Sequence, residues 1–147
     1  MSNVKIALAT IKKPHENYTE NQRIFCNWID KASKNNADII CFPEMSLYMH
    51  FPNRKPPTNE QELVKPIKEA AKRGKIYIVT PTNIMLNNKL YNRAYLIDKN
   101  GELMGFYDKC FGFYDRTIGS KYPVFKTNFG VVGIAICYDL GLSLIHI

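Results

Sequence analysis

The feature that most constrains the fold is an alternation of short apolar runs with helical periodicity in the first eighty residues. The runs Val4–Thr10, Asp38–Phe42 and Ile76–Thr80 are short and rich in β-branched residues, as buried strands are. Between them, apolar residues recur at helical spacing from about Asn17 to Asn35, and a second helix fits Lys65–Arg73. This order predicts an α/β fold whose first part is largely parallel.

The second half of the chain predicts antiparallel strands that are joined by tight turns. Asn87-Asn88 and Asn100-Gly101 are turn signals, and the second of them predicts a β-hairpin. No internal repeat or linker interrupts the pattern, so 147 residues are expected to form one domain. The predicted strands are Leu90–Asp98, Glu102–Asp108, Pro123–Thr127 and Val131–Ile136.

Composition narrows the class of protein. No apolar run approaches the roughly 18 residues of a membrane span, and the first residues lack the pattern of a signal peptide. The cysteines show no C-x-x-C pairing, and neither they nor the histidines have metal-ligand spacing. We therefore predict a cytoplasmic protein with free thiols, without a metal and without a membrane partner. The residues concerned are Cys26, Cys41, Cys110, Cys137, His15, His50 and His146.

The net charge of +7 raises the alternative of nucleic-acid binding. Lysines and arginines are scattered, however, and the only adjacent pairs are Lys12-Lys13 and Lys72-Arg73. A basic stripe or tail is absent from this pattern, so a solvated surface explains the charge better and no nucleic-acid partner is predicted.

Three residues with reactive or charged side chains stand where predicted strands end. Glu44 follows the second strand, Lys109 follows Asp108, and Cys137 ends the run that begins at Val131. Each alone has a simpler explanation, because acids and lysines at strand ends are usually solvated and a free cysteine is usually an inert core thiol. Ligand sites of open α/β sheets nevertheless gather outside the carboxyl ends of strands.

These three residue types together suit nucleophilic catalysis. A free thiol has a pKa of about 8.5, so only a small fraction is thiolate at neutral pH. A carboxylate such as Glu44 can remove the thiol proton, and a lysine can stabilise a thiolate or an oxyanion. Spacing alone leaves open whether the three side chains meet.

The stretches around these residues resemble those of a known family. They are Asp38-Ile-Ile-Cys-Phe-Pro-Glu44, Tyr107-Asp-Lys109 and Gly133-Ile-Ala-Ile-Cys-Tyr-Asp139, with supporting strands at Asn92–Glu102 and Val124–Gly130. In this order they resemble the nitrilase, or carbon–nitrogen hydrolase, superfamily.

The resemblance implies a four-layer αββα sandwich and hydrolysis of a non-peptide C–N bond. In that chemistry Glu44 is the general base, Cys137 is the nucleophile, and Lys109 with the backbone N–H of Tyr138 holds the oxyanion. Water then hydrolyses a thioester intermediate. The implied substrates are small amides, N-carbamoyl compounds or nitriles, with no metal or organic cofactor. The complete protein is expected to be a homo-oligomer.

The loop that follows the lysine departs from the family pattern. Phe111 stands where many members carry a histidine, and the loop Cys110–Tyr122 lacks the second glutamate that many members have there. Asp115 is the only acid in this loop and is predicted to substitute in substrate positioning. Tyr48 and Tyr138 are predicted to line the substrate pocket, although packing roles would explain them equally well.

The family pattern extends over residues 4–140, which we interpret as the N-terminal part of a carbon–nitrogen hydrolase domain. Residues 141–147, Gly-Leu-Ser-Leu-Ile-His-Ile, do not match the family's continuation and are interpreted as a tail of foreign origin. Such a fragment is expected to expose sheet edges and apolar faces.

Two functions of different classes therefore remain in view. The leading interpretation is a cysteine-dependent hydrolase that uses Glu44, Lys109 and Cys137. The alternative is an inactive or truncated family member that serves as a binding or partner protein. Selective reaction of Cys137 with an electrophile would favour the first, because an inert core thiol should not react selectively.

Overall fold

The computed structural model describes residues 3–11, 15–112 and 116–141. Two helices and seven strands lie in these ranges, and a short 3₁₀ turn over Cys137–Gly141 follows the last strand. In chain order they are β1 (Ile6–Leu8), α1 (Tyr18–Lys34), β2 (Ile39–Cys41), α2 (Glu60–Gly74), β3 (Tyr77–Leu86), β4 (Lys89–Ile97), β5 (Leu103–Asp108), β6 (Val124–Thr127) and β7 (Gly130–Gly133).

Five of the strands form one mixed sheet in the order β1-β2-β3-β4-β5. The first three strands are parallel, and β4 and β5 join them in antiparallel pairing. Helical crossovers connect the parallel strands, whereas short turns after β3 and β4 permit only antiparallel neighbours. Strands β6 and β7 form a separate antiparallel pair. The α/β class predicted from the alternation is therefore confirmed.

The two faces of the five-stranded sheet are covered by different elements. On one face, Phe25 of α1 and Ile67 of α2 are fully buried against Ile78 of β3. On the other face, Phe125 of β6 is buried against Leu96 of β4. The ranges that the structure describes thus contain three of the four expected layers, namely the helices, the five-stranded sheet and the β6–β7 pair.

Helix α2 begins five residues before the predicted start at Lys65. Asn59 caps the helix, because its side chain accepts a hydrogen bond from the backbone N of Glu62 (3.2 Å). Pro66, predicted in the first turn, therefore lies inside the helix. Proline cannot donate to the carbonyl four residues earlier, and Gln22 Nε2 donates to that Glu62 carbonyl instead (3.2 Å).

Two strands have different lengths from those predicted. Strand β3 continues to Leu86 rather than ending at Thr80, because its pairing with β4 continues without interruption to the turn. Asn87 and Asn88 both have positive φ angles (49° and 60°), which is the backbone that a two-residue hairpin turn requires. This turn is confirmed. Strand β7 ends at Gly133, three residues before the predicted end.

Apolar side chains are exposed at the edge of the main sheet and on the outer side of the β6–β7 pair. Leu8 in the edge strand β1 is 77% exposed, and Val124 and Val131 are 68% and 66% exposed. Uncovered apolar faces of this kind agree with the expectation from the sequence. Within the described residues, neither helix is long and apolar enough to cross a bilayer.

Candidate active site

The three side chains predicted to be catalytic, those of Glu44, Lys109 and Cys137, line one cavity of about 390 Å³. They come from three separate parts of the chain: the loop after β2, the residue after β5 and the 3₁₀ turn after β7. The other lining residues are Met45, Asn92, Gly112, Arg116, Thr117 and Ile118.

A larger groove of about 840 Å³ lies between α2 and the turn that joins β4 to β5. Lysines and glutamates alternate along its walls, and two of them, Lys68 and Glu102, approach each other to 3.9 Å. Within the described residues, its lining contains no cysteine, histidine or serine that could act as a nucleophile. Covalent chemistry is therefore expected in the smaller cavity.

Glu44 is held in a loop that is tied to the neighbouring elements. The backbone N of Leu47 donates to the carbonyl of Pro81 in β3 (3.1 Å), and the Leu47 carbonyl accepts a hydrogen bond from Asn21 Nδ2 in α1 (3.0 Å). Met45, next to the glutamate, has a φ of 55°, a left-handed backbone that few non-glycine residues adopt. The hydrogen bonds on both sides of the loop fix this turn and the direction of the carboxylate.

Lys109 reaches from the end of β5 to the carboxylate of Glu44. Its Nζ lies 2.7 Å from Glu44 Oε1, and the lysine side chain is 9% exposed. The backbone N of Lys109 donates to the carbonyl of Asn92 (2.9 Å), which continues the β4–β5 pairing by one residue. Asn92 Nδ2 donates to the same Oε1 of Glu44 (2.7 Å). Two donors thus converge on one carboxylate oxygen.

These surroundings hold the pKa of Glu44 below its usual value. Partial burial acts to raise this pKa, but the hydrogen bonds from Lys109 and Asn92 and the charge of Lys109 outweigh that effect. A hydrogen bond with the thiol of Cys137 acts in the same lowering direction. Glu44 is therefore a carboxylate at neutral pH and lies within reach of a thiol proton.

Cys137 occupies a strained position at the start of the 3₁₀ turn. Its φ is 50°, in the left-handed region, and strain of this kind concentrates at functional sites. The thiol-bearing residue is exposed, whereas Cys26, Cys41 and Cys110 are each half-buried. The simpler interpretation of Cys137 as an inert core thiol is therefore wrong.

Asp139 ties the cysteine turn to the lysine segment. Its Oδ2 accepts hydrogen bonds from the backbone N of Ile136 (2.9 Å) and from Tyr107 Oη (2.7 Å), and its Oδ1 accepts one from the backbone N of Phe111 (2.9 Å). The residue is only 6% exposed, so three donors satisfy a buried carboxylate. This bridge fixes the Cys137 turn relative to β5.

The residues predicted to bind substrate are placed differently from the catalytic three. Tyr138 is 55% exposed beside Cys137, and Tyr48 is buried, with its hydroxyl 3.4 Å from the carbonyl of Lys55. The described lining of the cavity includes neither tyrosine side chain. Asp115 lies outside the residues that the structure describes. Their roles in substrate binding stay predictions.

Asn92 and Asp139 are the site residues that the sequence did not single out. Asn92 lies in a stretch that was assigned to a supporting strand, and Asp139 ends the stretch around the nucleophile but was given no role of its own. Side chains alternate between the two faces of a strand, so Asn92 shares a face with the buried Ala94 and Leu96 of β4. A polar residue on an otherwise apolar face was the signal that could have identified it.

Within the described ranges, no group of three histidine, cysteine, aspartate or glutamate side chains is arranged to hold a metal ion. What the cavity offers is a carboxylate, an ammonium group and an exposed thiol. This set can transfer a proton and stabilise a negative charge next to a nucleophile.

Comparisons with known proteins identify a family for the chain. The model of the carbon-nitrogen hydrolase family matches residues 5–146. A citrullinase from Francisella tularensis is 29% identical over 158 aligned residues, which cover 95% of this chain and 54% of that protein. The chain spans about half the length of the curated relatives it matches.

Solved structures share the fold at low sequence identity. Saccharomyces cerevisiae Nit3, a member of branch 10 of the nitrilase superfamily, superposes with a TM-score of 0.84 at 19% identity, covering 95% of this chain and 57% of that one. A Glu-to-Gln mutant of an amidase from Nesterenkonia sp. AN1 superposes with a TM-score of 0.80 at 17% identity, covering 94% and 59%. That structure shows the result of Michael addition of acrylamide at its active site cysteine.

Proposed function

The chain belongs to the carbon-nitrogen hydrolase family, and from this membership we propose that Glu44, Lys109 and Cys137 form the catalytic centre of a hydrolase that acts on small-molecule C–N bonds. One observation carries the proposal: a carboxylate that is ionised at neutral pH shares a cavity with a buried lysine and an exposed cysteine on a strained turn. Relatives named as a citrullinase and an amidase support amide and ureido groups as the substrate class.

In the proposed mechanism, Glu44 accepts the thiol proton of Cys137 as the sulfur attacks the carbonyl carbon of the substrate. Lys109 and the backbone N–H of Tyr138 stabilise the negative charge that develops on the carbonyl oxygen. The C–N bond breaks, and the leaving nitrogen takes the proton from Glu44. The product of this half-reaction is a thioester on Cys137 with release of ammonia or an amine.

Water completes the cycle in the second half-reaction. Glu44, again a carboxylate, takes a proton from water as the oxygen attacks the thioester carbon. The C–S bond breaks, the acid product leaves and the proton returns to the sulfur of Cys137. Substrates that carry an amide or an N-carbamoyl group follow these steps directly. A nitrile carbon first adds the thiol to give a thioimidate, and one water must add to that carbon before ammonia leaves and the thioester forms. We include all three in the proposed class. The proposal also keeps the predicted cytoplasmic location and homo-oligomeric state.

The proposal is tested by measuring ammonia release from simple aliphatic amides and from ureido compounds with three variants. Cys137→Ala should abolish turnover, since it removes the nucleophile. Glu44→Gln should reduce kcat by roughly 10²–10⁴-fold through loss of the base. Lys109→Met should reduce it by about 10²–10³-fold, or about 3–4 kcal/mol, through loss of oxyanion stabilisation.

Matched controls separate loss of chemistry from loss of folding. Cys110→Ala removes a half-buried thiol outside the cavity lining, and Glu62→Gln removes an exposed carboxylate of α2. Both should retain turnover. Near-normal turnover in Cys137→Ala would show that Cys137 is not the nucleophile. Binding of an amide without any turnover would instead favour the alternative of an inactive partner protein.

A further inference from the structure

Asn92 contacts both members of the Glu44–Lys109 pair and uses different atoms for each. Its backbone carbonyl oxygen accepts a hydrogen bond from the backbone N of Lys109 (2.9 Å), and its side-chain Nδ2 donates to Glu44 Oε1 (2.7 Å). From this geometry we propose that Asn92 is a positioning residue that aligns the Glu44 carboxylate with Lys109 and keeps it ionised. The inference rests on the proposed function, because it concerns the base of that mechanism.

The backbone contact fixes where the lysine begins. Strands β4 and β5 are in register at Arg93 and Asp108, and the bond between Asn92 and Lys109 extends that register beyond the end of β5. The lysine side chain therefore starts from a regular ladder position and not from a free loop. A fixed starting point reduces the conformational entropy that is lost when its ammonium group meets Glu44.

The side-chain contact fixes which carboxylate oxygen is occupied. Asn92 Nδ2 and Lys109 Nζ both bond Glu44 Oε1 at 2.7 Å. With Oε1 held from two sides, Oε2 is the oxygen that can accept the proton of Cys137. Lysine alone would leave the carboxylate free to rotate about its last bond, whereas two donors define its plane.

Stability alone does not explain an asparagine at this position. The residue is only 4% exposed, and its Oδ1 is buried without a hydrogen-bond partner among the described residues. A buried carbonyl oxygen without a partner is destabilising, and an apolar residue of similar shape would avoid it. The contact with Glu44 is the compensating feature that a leucine could not provide.

The charged and titratable groups around Glu44 come from three further elements. Lys109 approaches from the end of β5, Cys137 from the 3₁₀ turn, and Arg116 lines the same cavity from the segment before β6. The charge of Lys109 favours the ionised carboxylate. The Asn92 amide adds a neutral donor, so its removal should change the protonation of Glu44 while every charge stays in place.

The test is a ¹³C NMR titration of glutamate carboxyl groups, with the Glu44 resonance assigned by its loss in Glu44→Gln. In Asn92→Leu the titration midpoint of Glu44 should rise by about one pH unit, a tenfold increase in proton affinity. Asn92→Asp, which replaces the donor by a carboxylate of the same shape, should raise the midpoint further. The second variant keeps the test decisive if the first does not fold.

The matched control is Asn83→Leu. Asn83 pairs with Asn92 across β3 and β4 and is fully buried, but its side chain accepts from the backbone N of His50 and donates to the carbonyl of Tyr91. Its loss should leave the Glu44 midpoint unchanged. An equal rise in Asn83→Leu, or no rise in either Asn92 variant, would overturn the proposal.

Urea unfolding supplies the second readout. Asn92→Leu should unfold at the same or a higher urea concentration than the unchanged protein, while Asn83→Leu should unfold at a lower one. A marked loss of stability in Asn92→Leu without a change in the Glu44 midpoint would make Asn92 a structural residue. A raised midpoint in a protein without turnover would support the positioning role and count against the proposed function.

Discussion

Two charged clusters lie on opposite faces of β4 and β5, and they differ in how completely their groups are satisfied. On the helix side, Arg93 donates to both carboxylate oxygens of Asp108 (2.6 and 2.8 Å) and to Glu60 Oε1 at the start of α2 (2.5 Å). Its guanidinium carbon lies 3.5 Å from the ring centroid of Phe106, and Tyr95 Oη also donates to Glu60 (2.7 Å). We call this the Arg93 cluster.

On the other face, the neighbouring residues of the same strands form a sparser group. Asn92 and Lys109 precede Arg93 and follow Asp108 in the sequence, and alternation along the strands turns them away from the helices toward Glu44. This group, the Glu44 cluster, contains a buried oxygen that has no hydrogen-bond partner within the described part of the chain, and it adjoins an exposed thiol.

The difference teaches that two adjacent paired positions can serve opposite purposes. The Arg93 cluster joins α2 to the sheet through one guanidinium that donates to two carboxylates, which suits a stabilising role. The Glu44 cluster tolerates an unsatisfied group and strained backbone beside the thiol, which is typical of sites where reactivity is favoured over stability. The following predictions test this division of roles.

The largest effect on stability is expected from Arg93→Met. Removing the guanidinium leaves Asp108, whose side chain is only 13% exposed, without a countercharge. Breaking a buried pair in this way should lower the free energy of unfolding by about 3–5 kcal/mol in urea titrations. Arg73→Met is the control, since its pair with Asp30 is largely exposed and should contribute about 0–1 kcal/mol. Equal losses of unfolding free energy in the two variants would show that the Arg93 cluster stabilises the fold no more than an exposed ion pair does.

A smaller effect on stability is expected from Asp139→Asn. Asp139 lies on the same side of the sheet as the Glu44 cluster. The amide would present a donor to one of the three donors that now bond the carboxylate. The free energy of unfolding should fall by about 2 kcal/mol, and alkylation of Cys137 should change because its turn is released. Asp38→Asn is the control, because Asp38 accepts from the backbone N of Lys5 at an exposed position. An unchanged alkylation rate in Asp139→Asn would show that the Asp139 carboxylate does not influence the reactivity of the Cys137 thiol.

The smallest effect is the pH dependence that Glu44 itself contributes. Its pKa is lower in the folded protein than the usual value of 4.5, so its ionised form stabilises the fold above that value and loses this contribution as pH falls through the folded pKa. The difference in unfolding free energy between the unchanged protein and Glu44→Gln should stay constant from about pH 7 to 5. Below about pH 4.5 it should shrink. A difference that widens on acidification would mean that the folded pKa is raised.

The layout of the first half of the fold could be predicted from the sequence because apolar periodicity reports local structure directly. The strand and helix order and the Asn87-Asn88 turn follow from patterns within a few residues. The predicted start of α2 was wrong because Pro66 was placed in the first turn, although Asn59 followed by Glu62 is a local capping signal for the earlier start. The sequence did not show that Gln22, more than forty positions away, donates to the Glu62 carbonyl that an interior Pro66 leaves free. Such long-range compensation leaves no local pattern.

The candidate site, like the fold, could be predicted from the sequence only in part. Residue chemistry and strand ends made Glu44, Lys109 and Cys137 candidates, the family resemblance implied their roles, and the structure brings their side chains to one cavity. The contacts of Asn92 with Glu44 and of Asp139 with Tyr107 and Phe111 join segments that are far apart in the chain, and a pattern within a few neighbouring residues does not show that they meet. Asn92 was therefore assigned only to a supporting strand, and Asp139 was quoted only as the end of the stretch around Cys137.

The central claim is that Glu44 activates Cys137, and the most direct measurement is the rate at which iodoacetate, which carries no amide to hydrolyse, modifies each cysteine at neutral pH, followed by peptide mass spectrometry. Exposure alone would make Cys137 react faster than the half-buried cysteines, so the decisive comparison is between the unchanged protein and Glu44→Gln. The account predicts that Glu44→Gln slows modification of Cys137 at least about tenfold, while Glu62→Gln does not change it. Modification of Cys137 at the same rate in all three proteins would contradict the account.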